Sequence, residues 1–271
     1  MRRPLLLYIS VVQKVLICRA EGLLVTRRFP LILHRIYIYP MPLLLALETS
    51  TTVCSIALFR DQQLLGASEL QIEKSHSSHI TVMISQLVEN CGATLQELNA
   101  VAISGGPGSY TGLRIGTSTA KGLCYSLDIP LLEVSTLYGL AAQVIQTTPR
   151  PERYLFCPML DARRMEVYTC LLDSQLQEVS PIEPIVLEEH TFGNKLATQS
   201  VIFFGSGAQK FRELVRDKEH ALFVDNVLPS AKTIGQLALA KYAQKAFEDV
   251  AYYEPFYLKD VYITGAGKGT K

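Results

Sequence analysis

The chain has 271 residues, of which 48% are hydrophobic and 19% are charged, and its formal net charge is +1. Residues 1–40 carry seven Arg or Lys and one Glu, which leaves 19 basic and 24 acidic residues, a net charge of −5, for 41–271. A chain of this length can bury a large core, as one large α/β unit or as two lobes. The acidic body excludes nucleic-acid binding through overall charge, so any RNA contact is local or made through a partner.

Residues 1–40 differ from the rest of the chain. Short apolar runs alternate with arginines there, without the roughly 18 uninterrupted apolar residues that a membrane-spanning helix needs. No compact apolar region is followed by the small residues of a signal-peptide cleavage site. Because Met41 and Pro42 lead directly into an apolar strand pattern, we expect translation to start at Met41. Residues 1–40 are then a mis-assigned or disordered basic extension, which an intact mass of the native protein tests.

The body opens with a predicted β-meander, after which helices and strands alternate. This βββαβαβα order predicts an α/β fold, and the linker 147–151, rich in Thr and Pro, marks a boundary between lobes at 41–147 and 152–260. In the first lobe the predicted strands are 43–48, 53–59, 63–69, 98–104 and 130–134, and the predicted helices are 79–91, 112–127 and 135–145.

The second lobe has fewer clear patterns. Its predicted strands are 153–160, 166–172 and 201–204, and its predicted helices are 208–216 and 232–246. Asp161, Arg163 and Arg164 form a charged turn that could contact a partner or RNA phosphate, although such a turn is commonly just solvated. Residues 261–271 are predicted to be a flexible tail.

Cysteine and histidine usage gives no metal motif. The six cysteines are scattered singly in apolar surroundings, which predicts core thiols in a reducing compartment, hence a cytoplasmic protein. His76 and His79 share one helix face at i, i+3 and could grip a metal. No third ligand lies near them in sequence, and the region is also a natural helix cap. We therefore expect no metal site.

Two loops are candidates for anion binding. Gly105, Gly106 and Gly108 allow positive φ and close approach, and the amides at the start of the following helix could hold an anion. The hydroxyl-rich turn after the first strand suits a phosphate, and it equally suits a satisfied hairpin. A Gly-Pro-Gly loop is also common in ordinary turns, and this one matches neither the G-x-G-x-x-G nor the G-x-x-x-x-G-K-[ST] phosphate-binding motif. The candidate nucleotide-binding residues are Thr49, Ser50, Thr51, Gly105, Gly106 and Gly108.

Three segments together resemble the TsaB family, also called YeaZ, within the actin-like ATPase superfamily. They are Leu-Leu-Ala-Leu-Glu-Thr-Ser-Thr at 44–51, Ser-His-Ser at 75–77 and, above all, Ser-Gly-Gly-Pro-Gly-Ser-Tyr-Thr-Gly-Leu-Arg-Ile-Gly at 104–116. The resemblance is strong over 41–143 and thinner beyond. It implies an actin-like (ASKHA, ribonuclease H-like) fold with two lobes, the second smaller. Residues 253–259 resemble the family's tail segment, which is expected to dock on the body.

The resemblance implies a role in forming N6-threonylcarbamoyladenosine at position 37 of tRNAs that read codons beginning with A. In the bacterial family a metal-bearing TsaD-type subunit transfers the threonylcarbamoyl group, TsaB is its non-catalytic partner, and a TsaE-type P-loop ATPase joins the assembly. By this resemblance the chain is expected to have no catalytic residue or metal, to pair with a TsaD-type subunit as a heterodimer and to contact tRNA through the complex. The resemblance leaves open whether the free chain forms a homodimer and whether ATP or ADP binds at the complex.

The family's mutual contact is made by two helices, which here correspond to about 79–91 and 112–127. Their apolar residues could serve either this seam or the chain's own core, because periodicity does not separate the two. The candidate interface residues are Ile80, Met83, Ile84, Leu87, Leu113, Ile115 and Leu123.

An enzyme acting alone is the alternative hypothesis, as an actin-fold phosphotransferase or a glycoprotease-like peptidase. A peptidase needs a metal or a nucleophile with its base, and the sequence offers no convincing set. For a kinase, Glu48 with Asp161 is the only carboxylate pair that suggests itself. Glu48 stands where many actin-like kinases carry Asp, so no catalysis is assigned to it.

Overall fold

The computed structural model describes residues 42–72, 76–216 and 219–258. The residues within these ranges form one compact unit. The predictions for 1–40 and for 261–271 concern residues outside the described ranges. Within those ranges, none of the helices combines the length and the apolar composition that crossing a membrane requires.

The described chain repeats one order of elements twice. Each half runs through three strands, a helix, a strand, a helix, a strand and a helix. The first half contains β1 (Leu43–Glu48), β2 (Cys54–Arg60), β3 (Gln63–Leu70), α1 (His76–Asn90), β4 (Ala100–Ser104), α2 (Tyr110–Leu127), β5 (Leu131–Val134) and α3 (Thr136–Thr147). The second contains β6 (Leu155–Asp161), β7 (Glu166–Leu172), β8 (Glu178–Val186), α4 (Gly193–Leu196), β9 (Val201–Phe204), α5 (Ala208–Leu214), β10 (Ala221–Val224) and α6 (Ala231–Ala243).

Each half forms a five-stranded mixed sheet, and the two sheets have the same topology. The strand orders are β3-β2-β1-β4-β5 and β10-β9-β6-β7-β8. In the first sheet β1 pairs antiparallel with β2 and parallel with β4, and in the second β6 pairs in the same way with β7 and β9. This duplication confirms the predicted α/β class and the actin-like architecture.

The first sheet is covered on both faces, which explains why β1 is an uninterrupted apolar run. Leu43, Leu45 and Leu47 point into a core shared with α1 and α2. Leu44 and Ala46 point into the opposite core, which contains residues of α6. Glu48, the last residue of β1, is therefore buried beneath helices.

The last helix of each half packs across the predicted lobe boundary. Residues of α3 join the core of the second sheet, while α6 covers the first sheet. A Cβ on Gly235 of α6 would collide with the Phe59 ring, so glycine lets α6 approach this sheet closely. The division at 147–151 consequently does not separate two independent cores: the helix predicted at 232–246, within 152–260, packs against strands from 41–147.

The predicted helix and strand bounds differ from the observed ones by a few residues in most elements. The largest shift within the first half is at α1, which begins at His76 and not near His79. The pattern misses β8 and β10 altogether. β8 is an edge strand with mostly exposed side chains and two prolines, and β10 has only four residues. Edge strands commonly show this composition, which hides the usual strand signal.

Candidate functional site

The turn after β1 and the glycine-rich loop after β4 lie directly against each other. Ser109 N–H donates to the Ser50 carbonyl at 2.6 Å, and Thr49 Oγ1 donates to the Gly112 carbonyl at 2.9 Å. Ser109 is also the N-cap of α2, and its hydroxyl accepts from Gly112 N–H at 3.3 Å. The two loops predicted as anion sites are thus brought together, with hydrogen bonds between them.

Three glycines make this contact possible. A Cβ on Gly108 would meet the Ser50 backbone, one on Gly112 would meet the Thr49 carbonyl, and one on Gly116 would meet the Thr49 hydroxyl. Their spacing of four residues places them along one side of α2 and the loop before it. The glycines of the motif therefore serve backbone packing between α2 and the turn.

The predicted nucleotide-binding residues differ in accessibility. Thr49, Ser50, Gly105 and Gly106 are buried, whereas Thr51 and Gly108 are half-buried. The hydroxyl of Ser50 has no hydrogen-bond partner within the described residues. The structure brings these six residues together, but it leaves few of their polar groups open to solvent. The residues are Thr49, Ser50, Thr51, Gly105, Gly106 and Gly108.

Glu48 lies beneath this contact and is fully buried. Its Oε1 accepts from Ser50 N–H at 2.7 Å, and its Oε2 has no hydrogen-bond partner in the described part of the chain. Burial raises the pKa of Glu48, and the hydrogen bond from Ser50 N–H offsets this rise only in part. One carboxylate of the Glu48 and Asp161 pair considered for a kinase is thereby sealed within the fold.

Glu48→Gln is expected to change how stability depends on pH. A carboxyl group whose pKa is raised by folding binds its proton more tightly in the folded state. Its stabilising contribution is therefore present below the ordinary pKa of 4.5 and is lost as pH rises through the raised folded value. The uncharged amide avoids this loss, so the stability of wild type relative to the variant should fall as pH increases. Urea unfolding of both proteins from pH 4.5 to 8 checks this, and parallel curves would contradict it.

The C-terminal segment, residues 249–258, covers the other side of the glycine-rich loop. Phe256 N–H donates to the Gly105 carbonyl at 2.8 Å, and a Cβ on Gly106 would collide with the Phe256 carbonyl. Lys121 of α2 donates to the carbonyls of Ala251 and Tyr253 at 3.0 and 3.1 Å. The docked tail is therefore confirmed over 253–258, and it covers the loop at Gly105 and Gly106.

Most of the predicted interface residues belong to the chain's own core. Five of the seven are buried at exposures of 1 to 7%, and the other two, on α2, are half-buried and pack against the same core. The apolar periodicity of α1 and α2 thus marks the inward face, and the assignment of these residues to a partner seam stays a prediction. The five buried residues are Ile80, Met83, Ile84, Leu87 and Leu113, and the two half-buried ones are Ile115 and Leu123.

A shallow groove of about 430 Å³ runs between α1 and α2 on their outer side. Ile80 and Ile115 line it together with hydroxyl and aromatic residues, so these two predicted interface residues do reach it. The lining residues are Ser77, Ile80, Thr81, Tyr110, Thr111, Arg114, Ile115, Ser118 and Thr119.

One end of the groove carries a layered arrangement of aromatic and cationic groups. The Arg114 guanidinium carbon lies 5.3 Å from the Tyr110 ring centroid, and Arg114 Nη1 donates to the Tyr110 hydroxyl at 3.2 Å. Tyr257 of the C-terminal segment packs on the same ring, and the centroids of the two rings lie 4.9 Å apart. Both tyrosines keep more than a third of their surface exposed. Sequence periodicity misses this group, because it lies outside the apolar stripe.

Gly122 lies beyond the groove, farther along the same side of α2. It follows Thr111, Ile115 and Ser118 at helical spacing, it is exposed, and a Cβ there would meet nothing within 4 Å. Glycine inside an exposed helix costs about 1 kcal/mol relative to alanine. Nothing within the described chain explains Gly122, in contrast to Gly112 and Gly116. A glycine in mid-helix is the sequence signal that could have located this face.

The remaining candidates do not assemble into a site. His76 is buried with its Nε2 3.2 Å from the Val53 carbonyl oxygen, and the His79 Nδ1 lies 2.8 Å from the Ser78 hydroxyl. Asp161 ends β6 in the second sheet, where it pairs with Lys210 at 2.7 Å. In the part of the chain that the structure describes, no three His, Cys, Asp or Glu side chains are grouped so as to hold a metal ion. The described cysteines are all free thiols.

Comparison with known proteins places the chain in a family. The family model for TsaD, the tRNA N6-adenosine threonylcarbamoyltransferase, matches residues 69–266. The Bacillus subtilis tRNA threonylcarbamoyladenosine biosynthesis protein TsaB is 33% identical over 177 residues, which are 64% of this chain and 75% of that protein. The Haemophilus influenzae TsaB is 29% identical over 226 residues, which are 80% of this chain and 93% of that protein.

Solved structures give the same result. YeaZ from Pseudomonas aeruginosa superimposes with a TM-score of 0.69 at 26% identity, covering 80% of this chain and all of that one. A second P. aeruginosa structure, described as an uncharacterized protein with similarity to peptidase YEAZ, has a TM-score of 0.70 at the same identity, with 81% of this chain and all of that one covered. The chain therefore belongs to the TsaB (YeaZ) family of tRNA threonylcarbamoyladenosine biosynthesis proteins.

Proposed function

We propose that this chain is the non-catalytic partner of a TsaD-type threonylcarbamoyltransferase, which it binds and activates as a heterodimer. The product would be N6-threonylcarbamoyladenosine at position 37 of tRNAs that read codons beginning with A. The observation that carries the proposal is the outer face of α1 and α2, with its groove, its aromatic and cationic layer and its exposed Gly122.

The composition of this face suits a protein partner. Tyrosine and arginine are enriched at the energetic centres of protein interfaces, where they combine apolar area with directional hydrogen bonding. Tyr110, Arg114 and Tyr257 are already held against one another, so less side-chain freedom is lost on docking. An exposed glycine on the same stripe lets a partner helix approach closely. These features favour a helix-against-helix seam on the outer side, with the inward side kept for the core.

A TsaD-type subunit is the partner that the family relationship favours. This chain matches the TsaD family model over 69–266, so the two proteins share a fold and present equivalent helices. Related chains can pair through equivalent surfaces, as identical subunits do about a two-fold axis. The same reasoning allows a homodimer of the free chain through this seam, which the TsaD-type subunit would displace.

The burial of the Glu48 side chain supports a non-catalytic role. Its carboxyl group is buried under the Ser50 turn, and both the glycine-rich loop and α2 pack on that turn. The chain alone thus offers no open carboxylate at the carboxyl end of β1. In this proposal ATP or ADP enters only at the assembled complex, which a TsaE-type P-loop ATPase joins, and tRNA is bound through the complex.

Reconstitution tests the proposal. A TsaD-type subunit, a TsaE-type ATPase, threonylcarbamoyl-AMP and tRNA are combined with and without residues 41–271 of this chain, and modified adenosine is quantified. We expect a stable pair between this chain and the TsaD-type subunit, and modification that is lost when this chain is omitted. Modification that proceeds normally without it would overturn the proposal. ATP turnover by this chain alone, abolished by Glu48→Ala, would support an enzyme instead.

A further inference from the structure

The hairpin between β6 and β7 carries two adjacent arginines in an unusual backbone conformation. Arg163 has a φ of 71° and Arg164 a φ of 47°. The left-handed region costs an ordinary residue about 1 kcal/mol, and hairpin turns that need it strongly prefer Asn or Gly. Such local cost is typically retained at functional sites. The hairpin thus keeps two arginines where two smaller residues would fold more easily.

The loop backbone is held firmly, so the arginines project from a defined support. Ala162 N–H donates to the Glu166 carbonyl at 3.1 Å, and Glu166 N–H donates to the Arg163 carbonyl at 3.1 Å. Asp161 Oδ1 accepts from Arg163 N–H at 2.6 Å, which fixes the start of the loop.

The two guanidinium groups are exposed and available. Asp161, the acid at the start of the loop, is already paired with Lys210, whose Nζ lies 2.7 Å from Asp161 Oδ1. Within the described residues neither the Arg163 nor the Arg164 side chain makes a hydrogen bond or an ion pair. The hairpin tip therefore presents two exposed, consecutive arginines without a hydrogen bond or ion pair of their side chains within the described residues. They stand on a body, residues 41–271, whose net charge is −5.

The position of the hairpin is also informative. β6 and β9 run parallel, and the hairpin lies at the carboxyl end of β6. Loops at the carboxyl ends of parallel strands are the usual binding edge of α/β sheets. Arginine donates two parallel hydrogen bonds to one phosphate, which makes adjacent arginines well suited to a phosphate backbone.

We propose that Arg163 and Arg164 bind the phosphate backbone of the RNA substrate, as a local contact that supplements the transferase subunit. This inference rests on the proposed function, because the assembly there is what brings tRNA to the chain. RNA is favoured over an acidic protein surface because the charge is confined to one small protruding tip, which suits phosphates spaced along a strand. The contact carries no sequence information and sets position only.

The test replaces both arginines by Asn and Gly, the residues that the backbone prefers. R163N/R164G should fold at least as stably as wild type, so lost binding would not reflect unfolding. Binding of labelled tRNA is measured by anisotropy across a salt series, with the chain paired to a TsaD-type subunit and with the chain alone at low salt. We expect affinity about tenfold weaker and a slope of log affinity against log salt smaller by about 2.

Two controls sharpen the result. R163K/R164K keeps the charges and should retain most of the affinity. R150N removes another exposed arginine with a positive φ, of 51°, at the opposite end of β6, and should change nothing. Unchanged tRNA affinity in R163N/R164G, or weakened pairing with the TsaD-type subunit in its place, overturns the inference while leaving the proposed function intact. If the wild-type chain fails to pair with the TsaD-type subunit, the proposed function is overturned. The measurements on the chain alone then test the arginine contact, and a wild-type chain that binds no tRNA in them overturns this inference as well.

Discussion

Thr81→Arg is expected to weaken pairing with the TsaD-type subunit by about 100-fold or more. Thr81 is exposed on α1 and lines the groove, so the substitution should leave the isolated fold nearly unchanged. In the pair, the new side chain fills the groove and adds a second cation near Arg114. An unpaired charge buried at an interface costs about 3 kcal/mol or more, which corresponds to the stated loss of affinity. Titration calorimetry of the purified subunits measures it.

Thr198→Arg is the matched control for this prediction. Thr198 is an equally ordinary exposed threonine, located after α4 beside the second sheet and away from α1 and α2. It should pair with wild-type affinity. If Thr81→Arg also paired normally, the groove would lie outside the interface and the seam would have to be sought elsewhere on the chain.

Gly112→Ala and Gly122→Ala are expected to change stability in opposite directions, although both lie in α2. At Gly112 the added methyl group meets the carbonyl oxygen of Thr49, a buried residue directly after β1. Overpacking of this kind should lower the free energy of unfolding by about 3 kcal/mol. At Gly122 the methyl group meets open space, and the gain in helix propensity should raise the free energy of unfolding by about 1 kcal/mol.

Urea unfolding of the isolated chain measures both effects. Equal effects at the two positions would contradict the assignment of Gly112 to the contact with the turn and of Gly122 to a free surface. Gly122→Leu extends the test to the pair, because it should keep the stability gain and yet obstruct a partner helix. A Gly122→Leu chain that pairs as tightly as wild type would show that no helix approaches at this position.

Much of the fold follows from the sequence because its signals are local. The apolar run Leu43 to Leu47 predicts the first strand, and the apolar spacing over 112–127 predicts α2 to within two residues of its observed start. The exchange of α3 and α6 between the sheets does not follow, since it depends on contacts such as Gly235 with Phe59, between residues far apart in the chain. A composition break at 147–151 shows where the chain turns, and it says nothing about which core a helix joins.

The site was predicted less completely for a related reason. The glycines after β4 indicate that something approaches closely, and the structure shows that it is the turn at Thr49 and Ser50. Sequence alone could not distinguish that turn from a phosphate, because both contact a backbone lacking Cβ atoms. Likewise the apolar stripe of α1 identifies a buried face without saying what buries it. The face that we propose for a partner is inferred from exposed residues such as Tyr110 and Gly122.

The most direct test of a non-catalytic role measures tRNA threonylcarbamoylation by a TsaD-type subunit and a TsaE-type ATPase supplemented with three forms of this chain. Wild type and Glu48→Gln should support the same rate, because the buried carboxyl group takes no part in the reaction. Thr81→Arg should support little, because the pair fails to form. A rate lost with Glu48→Gln while the pair still forms would contradict the account, since this chain would then supply a reacting group of its own.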